Sequence, residues 1–327
     1  MQLRPGEIVD GYRIQRPIGR GGMGAVYLAE HLSLRRPVAL KIVTAALAED
    51  PAFRERFERE ARLAARLDHP NVVAVYDAGV HEAGPWLAMR YVDGQDLSRR
   101  LRAAEGGRLT PEAAVRVIEQ VAAGLDHAHA AGLVHRDVKP ANVLIEDGDA
   151  GRALLADFGL TKEVGDADDL TATGVVVGSV DYLAPERIAH GHVDGRADVY
   201  ALAAMLWTLL TGRPPFDGQT ATKLYRHVHA PRPEPSRLDP GLAGFDAVVA
   251  RGMAIDPDQR YASAGDLARR RPRRARGPAA GRDGADRGPR RGRAGPGRRG
   301  GRRDRPAPEA AAVPGWRGWR RWCGGWW

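Results

Sequence analysis

The chain has 327 residues, of which 43% are hydrophobic and 28% charged, and it contains a single cysteine, Cys323. This composition predicts a globular domain with a sizeable core, and it excludes intrachain disulfides and cysteine-based zinc clusters. The net charge of +9 is unevenly spread, because residues 269–327 hold 19 arginines against four acidic residues, a net +15, and the remainder is net −6. The basic character therefore belongs to a C-terminal tail.

The sequence shows no pattern of a signal peptide or of a membrane-spanning helix. The first residues, MQLRPGEIVDGY, lack the apolar run of a signal peptide, and the longest apolar run, residues 199–210, is too short to span a bilayer. With one cysteine, this pattern predicts a cytoplasmic protein.

In chain order, residues 11–43 read as short β-branched strands separated by Gly- or Arg-rich turns. A helix follows, with Asp50 as N-cap, Pro51 in its first turn and an apolar stripe of Phe53, Phe57, Ala64 and Leu67. A strand is predicted over 86–92, a helix from GQDL at 94–97, a long helix over 110–132 and mainly helices beyond it. The fold class is thus α+β, with a small strand-rich lobe before a larger helical lobe.

Residues 272–315 contain almost only Arg, Gly, Ala, Pro and Asp, and five of the seven tryptophans lie in the last twelve residues. Such a composition cannot form a packed core, so we expect a disordered tail over 272–327.

Three glycines, Gly19, Gly21 and Gly24, have the G-x-G-x-x-G spacing of a phosphate-binding loop. A dinucleotide loop would open a helix and have an acidic residue about 20 residues on. Here the glycines lead into the strand AVYLAE, and Lys41 lies near that offset. A glycine hairpin that presents backbone N–H groups to a triphosphate fits better, although the motif alone is equally typical of a plain hairpin.

Lys41 and Glu60 are charged residues in apolar surroundings. Lys41 ends the strand VALK, and Glu60 falls within the apolar stripe of its helix. Because burying either charge alone is costly, we predict that the two pair and that the ammonium also holds nucleotide phosphates. An ordinary structural ion pair is the alternative for these two residues taken by themselves.

Residues 135–142, HRDVKPAN, place five different polar groups between two apolar stretches. Burial of that kind costs several kcal/mol unless the groups are paired or used, which indicates a site. Together with DFG at 157–159, APE at 184–186, Asp198 and Arg260, the ordered motifs resemble those of a eukaryotic-like (Hanks-type) serine/threonine protein kinase of bacteria.

The resemblance implies a two-lobed kinase fold over residues 12–271, after a lead-in of 1–11. The small lobe would cover about 12–89, the hinge 90–94 and the large lobe 95–271. It further implies ATP-dependent phosphorylation of protein Ser and Thr hydroxyls, with Mg²⁺ as the metal and Mn²⁺ as an alternative. The residues expected to bind the nucleotide are Ile18, Gly19, Gly21, Gly24, Val26, Lys41, Glu60, Met89, Tyr91 and Val92.

Under that resemblance, Asp137 accepts the substrate hydroxyl proton, Lys139 neutralises charge on the γ-phosphate, and Asn142 and Asp157 are the metal ligands. Asn142 thereby also belongs to the catalytic set, while His135 is expected only to pack and to form hydrogen bonds. Arg90 departs from the family, in which an acidic residue is common at this hinge position, so contacts with the nucleotide edge are in doubt.

Three further residues are assigned to structure by the resemblance. Glu186 and Arg260 form a buried pair in the large lobe, and Asp198, at the start of the helix 199–210, holds the backbone of the catalytic loop.

The segment between DFG and APE is polar and Gly-rich, which is typical of a mobile loop. An unpaired guanidinium at Arg136 would attract an anion, so we hypothesise that self-phosphorylation of Thr171 or Thr173 orders this loop. Solvated threonines without a regulatory role are the alternative. Ser179 matches a position that helps define Ser/Thr substrate choice, where Thr is commoner.

Protein substrates with Ser or Thr are the partners that the resemblance implies, and a homodimer through the small lobe is an additional expectation. For the tail, three interpretations stay open: a solvated linker, a contact with nucleic acid or anionic lipid, and a reading frame shifted near residue 270. For the whole chain, a catalytically silent scaffold and a nucleic-acid binder are the alternatives.

Overall fold

The computed structural model describes residues 3–21, 24–44, 50–148, 151–158, 180–189 and 191–270. The chain divides into two units, Met1–Gly277 and Pro278–Trp327, and all the described residues belong to the first. The architecture is the predicted α+β arrangement, with a strand-rich small lobe and a helical large lobe.

The small lobe is built on a six-stranded antiparallel sheet in the order β1-β2-β3-β4-β6-β5. Its strands are β1 (Ile8–Val9), β2 (Tyr12–Gly21), β3 (Gly24–His31), β4 (Arg36–Val43), β5 (Val75–His81) and β6 (Gly84–Arg90).

Helix α1 (Pro51–Ala64) packs on this sheet through Phe53 and Phe57, which share an apolar cluster with Leu87. The Asp50 carboxylate accepts a hydrogen bond of 2.9 Å from the backbone N–H of Ala52 and so caps the helix as predicted.

The large lobe is mainly helical. Its helices are α2 (Leu97–Ala103), α3 (Pro111–Ala130), α4 (Pro185–Ile188), α5 (Gly195–Thr211), α6 (Thr220–His229), α7 (Asp246–Gly252) and α8 (Ala264–Ala268). Helix α5 is buried along almost its whole length, and α3 packs beside it in the largest apolar cluster. Asp194 is the N-cap of α5, so Asp198 lies in the first turn of this helix and does not open it.

A three-stranded sheet lies between the lobes, made of β7 (Gly94–Asp96), β8 (Val143–Glu146) and β9 (Ala153–Leu155). The segment that precedes β5 pairs with β9, because Val73 N–H donates to the Leu155 carbonyl at 2.9 Å and Leu155 N–H donates to the Asn71 carbonyl at 2.8 Å. We call these two hydrogen bonds the rear joint. Residues 91–93 connect β6 to β7 and form a second link between the lobes.

Two element boundaries differ from those predicted. The strand expected over 86–92 spans Gly84–Arg90, and GQD forms β7, so α2 begins only at Leu97 with Asp96 as its N-cap. The reason is tertiary, since GQD pairs with β8. Within the described residues, no helix has both the length and the apolar character needed to cross a membrane.

Candidate active site

The glycine motif forms the turn between β2 and β3, in the register Gly19↔Val26 and Gly21↔Gly24. The fold requires a glycine at only one of the three positions, Gly24. Gly24 has φ of 146°, and a Cβ there would lie 2.0 Å from the Ile42 carbonyl oxygen of the adjacent strand. Gly24 is therefore required by the fold itself.

At the other two positions the fold leaves room. A Cβ on Gly21 would meet nothing within 4 Å, and one on Gly19 would make only ordinary contact with Val26. Neither residue has a positive φ. The space above Gly19 and Gly21 thus remains open to a ligand, as a phosphate-binding loop requires.

A cleft of about 750 Å³ lies beneath this turn and between the lobes. It is lined by almost all the residues predicted to bind the nucleotide: Ile18, Gly19, Gly21, Gly24, Val26, Lys41, Met89, Tyr91 and Val92. Asp137, Lys139, Asn142 and Asp157 line its floor. Glu60 is not among the lining residues, so the structure gives no contact between this carboxylate and the cleft.

On that floor, the catalytic-loop residues hold one another in place. Lys139 Nζ lies 2.8 Å from Asp137 Oδ2, and Asn142 Nδ2 donates to the same oxygen at 3.0 Å. Asn142 Nδ2 also donates to the Asp137 backbone carbonyl at 2.8 Å. The Asp137 carboxylate is thereby fixed at the cleft surface, with its charge balanced by the Lys139 ammonium and one oxygen also bonded by the Asn142 amide.

The loop's backbone is held from below by Asp198, which is buried. Its carboxylate accepts the backbone N–H groups of His135 and Arg136, both at 2.8 Å, and contacts His129 Nε2 at 2.7 Å. These bonds fix Arg136 in a left-handed conformation, with φ of 63°, directly before Asp137. Burial alone would lower the pKa of His129, but the hydrogen bond with Asp198 and the attraction of the nearby carboxylates together outweigh burial and raise the pKa.

His135 has the packing role that was expected. Burial lowers its pKa, so the ring is neutral. Nε2 lies 3.0 Å from the Ala156 carbonyl, Nδ1 accepts the Asp137 N–H at 3.2 Å, and the ring packs on Phe158. Both ring nitrogens are therefore engaged in structural bonds and neither is free for acid–base chemistry.

The predicted pair of Lys41 with Glu60 is not formed. Lys41 Nζ lies 2.8 Å from Asp157 Oδ1, and Glu60 Oε1 accepts from Arg136 Nη1 at 2.9 Å. The position of Glu60 on the buried face of α1 was correct. The predicted partner was wrong because two residues from loops of the large lobe bind these charges instead. The Asp157 carboxylate binds Lys41, and the Arg136 guanidinium binds Glu60. Arg136 is consequently not the unpaired guanidinium that was expected.

The two expected metal ligands fit a hard cation in chemical terms. Both hydrogen-bonding contacts of the Asn142 amide nitrogen go to Asp137, which leaves its oxygen as the atom for a ligand. Burial alone would raise the pKa of Asp157, but the Lys41 ammonium outweighs it and holds the pKa below its usual range. Asp157 is therefore a carboxylate at neutral pH, as Mg²⁺ requires.

No larger metal-binding cluster of His, Cys, Asp or Glu exists in the part of the chain that the structure describes. Two protein oxygens alone would leave Mg²⁺ incompletely coordinated, so substrate phosphates and water would have to complete its shell.

Glu186 and Arg260 are in contact deep in the large lobe, with Arg260 Nη2 2.6 Å from Glu186 Oε2. Thr171, Thr173 and Ser179 fall outside the described residues, and so does the tail over 272–327 that was predicted to be disordered. The sequence reading missed His129, and it missed the partner of Arg90, which is Glu146. A carboxylate that ends a neighbouring strand is the only signal that could have suggested Glu146.

Comparison with known proteins agrees with this geometry. The protein kinase domain family matches residues 12–244. The serine/threonine-protein kinase PknH of Mycobacterium tuberculosis is 49% identical over 267 residues, which are 81% of this chain and 42% of PknH. PknJ of the same organism is 47% identical over 273 residues, 82% of this chain and 46% of that protein.

Among solved structures, the M. tuberculosis PknI kinase domain is similar with a TM-score of 0.69 and 37% identity, over 82% of this chain and 98% of that domain. The chain spans less than half the length of the curated relatives it matches. The family match, the identity to these relatives and the two-lobed cleft lead to one conclusion: the chain belongs to the protein kinase family, as a bacterial Hanks-type serine/threonine kinase domain.

Proposed function

We propose that the chain transfers the γ-phosphate of ATP to Ser and Thr hydroxyls of protein substrates. The observation that carries this is the floor of the cleft, where Asp137, Lys139, Asn142 and Asp157 gather beneath the open side of Gly19 and Gly21. Phosphoryl transfer depends mainly on positioning and on charge neutralisation. With Lys41 beside it, this floor supplies an acceptor carboxylate, two ammonium groups and two metal-ligand oxygens.

The roles follow from the chemistry of each group. A substrate hydroxyl oxygen attacks the γ-phosphorus, the bond from that phosphorus to the β–γ bridging oxygen breaks, and ADP leaves. Asp137 orients the hydroxyl and accepts its proton, while Lys139 lies beside Asp137 to neutralise charge on the transferred group. Lys41 leaves Asp157 to hold α- and β-phosphate oxygens. Mg²⁺, held by Asn142 and Asp157, would screen the phosphate charge.

The direct test is incubation of the full chain with Mg²⁺, γ-labelled ATP and a mixed Ser/Thr peptide library, beside the Asp137→Asn variant. Removal of a general base is expected to lower the rate by about 10²–10⁴-fold. As a matched control we suggest Asp239→Asn. Asp239 lies outside the cleft, pairs with Arg108 at 3.3 Å and accepts the Gly241 N–H through Oδ1, which asparagine can also do. Equal labelling by the parent and Asp137→Asn would contradict the proposal, and a parent that binds ATP without transfer would indicate a scaffold.

We propose Mg²⁺ as the working metal, as the resemblance to protein kinases implies, with Mn²⁺ as the alternative, since two oxygen ligands would accept either ion. Titration of the labelling rate with each metal separates the two, and a rate supported by Mn²⁺ alone would overturn this preference.

Self-phosphorylation is proposed as the regulatory step, on Thr171 or Thr173. Its support is Arg136, whose Nε is buried and has no hydrogen-bond partner within the described residues. A phosphate near Arg136 would use that donor and compete with Glu60 for the guanidinium. Mapping of phosphosites in the parent and in Thr171→Ala/Thr173→Ala tests this. Full activity of the double variant on an added substrate would contradict it.

Dimerisation through the small lobe is proposed on a patch at one end of its sheet. Leu34 is 60% exposed, and Tyr76, 39% exposed, lies 3.9 Å from the Arg36 guanidinium. Light scattering of the parent, of Leu34→Asp and of the large-lobe control Leu238→Asp provides the test. Loss of the dimer only in Leu34→Asp supports the patch, and a parent that is monomeric at all concentrations refutes it.

A cytoplasmic location is proposed because ATP is the phosphate donor there. Contact of the arginine-rich tail with nucleic acid or anionic lipid is proposed from charge alone. Steep salt dependence of binding that disappears on truncation after Arg271 would support the contact, and no binding at low salt would rule it out.

A further inference from the structure

The hinge between the lobes is crossed by a side-chain ion pair that no sequence motif indicated. Arg90 ends β6 in the small lobe, and Glu146 ends β8 between the lobes. The Arg90 guanidinium pairs with the Glu146 carboxylate through Nη2 and Oε1. The 55 residues between Arg90 and Glu146 in the sequence include the whole hinge and the catalytic loop. The two residues that flank this segment nevertheless contact each other directly.

The far side of the hinge is fastened to the same strand through the backbone. Gly94 pairs with Glu146 in the β7–β8 register, and Asp147 N–H donates to the Asp93 carbonyl at 2.9 Å. Gly94 has φ of 154°, and a Cβ there would lie 2.1 Å from the Ile145 carbonyl oxygen. The approach of β7 to β8 is therefore as close as a backbone allows.

Residues 91–93 thus lie between two attachments to the end of β8, one through a side chain and one through the backbone. The near attachment has a second support, since Arg90 N–H donates to the Ala74 carbonyl at 2.9 Å. Arg90, Tyr91 and Val92 all line the cleft. The direction of the Tyr91 and Val92 backbone groups, which would bond a nucleotide base, depends on how this short segment is held.

We infer that Arg90 is a positioning residue for nucleotide binding, whose ion pair with Glu146 braces the hinge and fixes the base-binding backbone of residues 91–92. The inference rests on the proposed nucleotide site. It also explains why a cation can occupy this position: the guanidinium points to Glu146 and leaves the hinge backbone unobstructed.

The charges around the pair predict an asymmetry. Glu146 faces a second cation, Arg152, whose Nε lies 3.8 Å from Glu146 Oε2. In Arg90→Glu, Arg152 still balances Glu146. In Glu146→Arg, three guanidinium groups meet without the Glu146 carboxylate, so this variant is expected to be the more affected of the two.

The experiment measures the dissociation constant of Mg·ADP by calorimetry on the full chain, which requires neither a protein substrate nor turnover. The variants are Arg90→Glu, Glu146→Arg, the charge-swapped double variant and the conservative Arg90→Lys. Arg237→Glu is the control, because Arg237 forms an exposed pair with Glu234 in the large lobe. Thermal unfolding and labelling at saturating ATP are recorded for each variant.

We expect each single charge reversal to weaken Mg·ADP binding by about 3–10-fold, the effect of losing and then repelling a half-buried ion pair. The double variant and Arg90→Lys should lie within about twofold of the parent, and labelling at saturating ATP should change little. A brace that acts only on stability would lower the unfolding temperature without moving the dissociation constant.

Two results would overturn the inference. One is that the single variants bind Mg·ADP with the same dissociation constant as the parent. The other is that the double variant binds Mg·ADP no more tightly than the single variant with the weaker binding. A parent that binds no nucleotide would refute the proposed site itself, and with it the inference. A single variant that does not fold leaves the decision to the double variant and Arg90→Lys.

Discussion

Two arginines of the large lobe bind carboxylates from distant parts of the chain, Arg260 in the interior and Arg136 in the catalytic loop. Arg260 is fully buried, and its Nη1 and Nη2 donate to Glu186 at 2.7 and 2.6 Å. Its remaining donors reach three backbone carbonyls, those of Ala254, Arg196 and Ile255. All five N–H groups of this guanidinium are in use.

Arg136 is bound differently. It has one bond of 2.9 Å to Glu60, keeps 21% of its side chain exposed, and its buried Nε has no partner within the described residues. The contrast separates two kinds of charge in this molecule. The interior pair of Arg260 is saturated and holds the frame. Pairs in and beside the cleft, Lys41 with Asp157 and Arg136 with Glu60, keep unused bonding capacity and would exchange partners when a nucleotide or phosphate enters.

The strongest test of this contrast is Arg260→Ala, which leaves the Glu186 carboxylate and three carbonyls without their donor. We expect a loss of about 3–5 kcal/mol in the free energy of unfolding, as for other broken buried pairs. Urea denaturation measures it. Arg237→Ala, which breaks an exposed pair, should cost less than about 1 kcal/mol. Similar losses in the two variants would abolish the distinction.

The next effect in size is expected for Asp198→Asn. The variant replaces one carboxylate oxygen by an N–H group that cannot accept the backbone donors of His135 or Arg136. A loss of about 2–3 kcal/mol follows from unsatisfied charge-assisted bonds. Because these bonds position Asp137, labelling activity should also fall in protein that is still folded. Unchanged urea denaturation would show that the loop does not depend on Asp198.

Two histidines, His227 and His129, make the free energy of unfolding depend on pH in opposite directions. Burial lowers the pKa of His227 to about 4 from 6.5, so stability is lost as pH falls below 6.5. His129 has a raised pKa, so the stability from its pair with Asp198 is present below 6.5 and is lost as pH rises through its folded pKa.

Replacement of His227 by Gln should therefore remove about 1 kcal/mol of the stability change between about pH 7.5 and pH 5.5. His129→Gln should flatten the alkaline side instead. Urea denaturation of both variants across pH provides the measurement, and identical pH profiles for the two would contradict the assignment.

The smallest change in stability is expected at Lys41, where the loss of activity should be large. Lys41 and Asp157 are 16% and 35% exposed, so Lys41→Met should cost less than about 1 kcal/mol. Labelling should fall by about 100-fold or more, because the ammonium no longer meets the phosphates. The pKa of Asp157 should rise, which a carboxyl titration by NMR would detect.

Lys223→Met is the matched control for that experiment, since Lys223 pairs with Asp181 at 2.6 Å outside the cleft. It should retain activity within about twofold. A Lys41→Met variant that is strongly destabilised, or that keeps its labelling activity, would place Lys41 with the interior pairs.

Some features of the fold and of the site could be predicted from the sequence, and others could not. Element types followed from periodicity and caps, as at Asp50, whose side chain caps α1. The order of the motifs identified the cleft residues. The choice of partner for Lys41 could not be predicted, because a spacing along α1 places Glu60 on a face without stating which loop reaches it.

Backbone conformation set the second limit. Arg136 and Asp157 both have positive φ, at 63° and 57°, and these conformations direct their side chains toward Glu60 and Lys41. Such strain is maintained by surrounding structure and leaves no signature in residue type. The hinge brace was missed for a related reason, since Arg90 and Glu146 meet only through the pairing of β7 with β8.

The rear joint has a mechanical consequence for the cleft. Since Val73 and Leu155 are joined through backbone atoms, we expect any rotation of one lobe against the other to take place about an axis near this line. Met89 pairs with Val75 close to the axis, whereas the turn at Gly21 lies at the far corner of the same sheet. A given rotation therefore displaces the glycine turn much more than the adenine end. Small rotations of this kind would widen the phosphate end of the cleft while the residues at the adenine end, such as Met89, would hardly move.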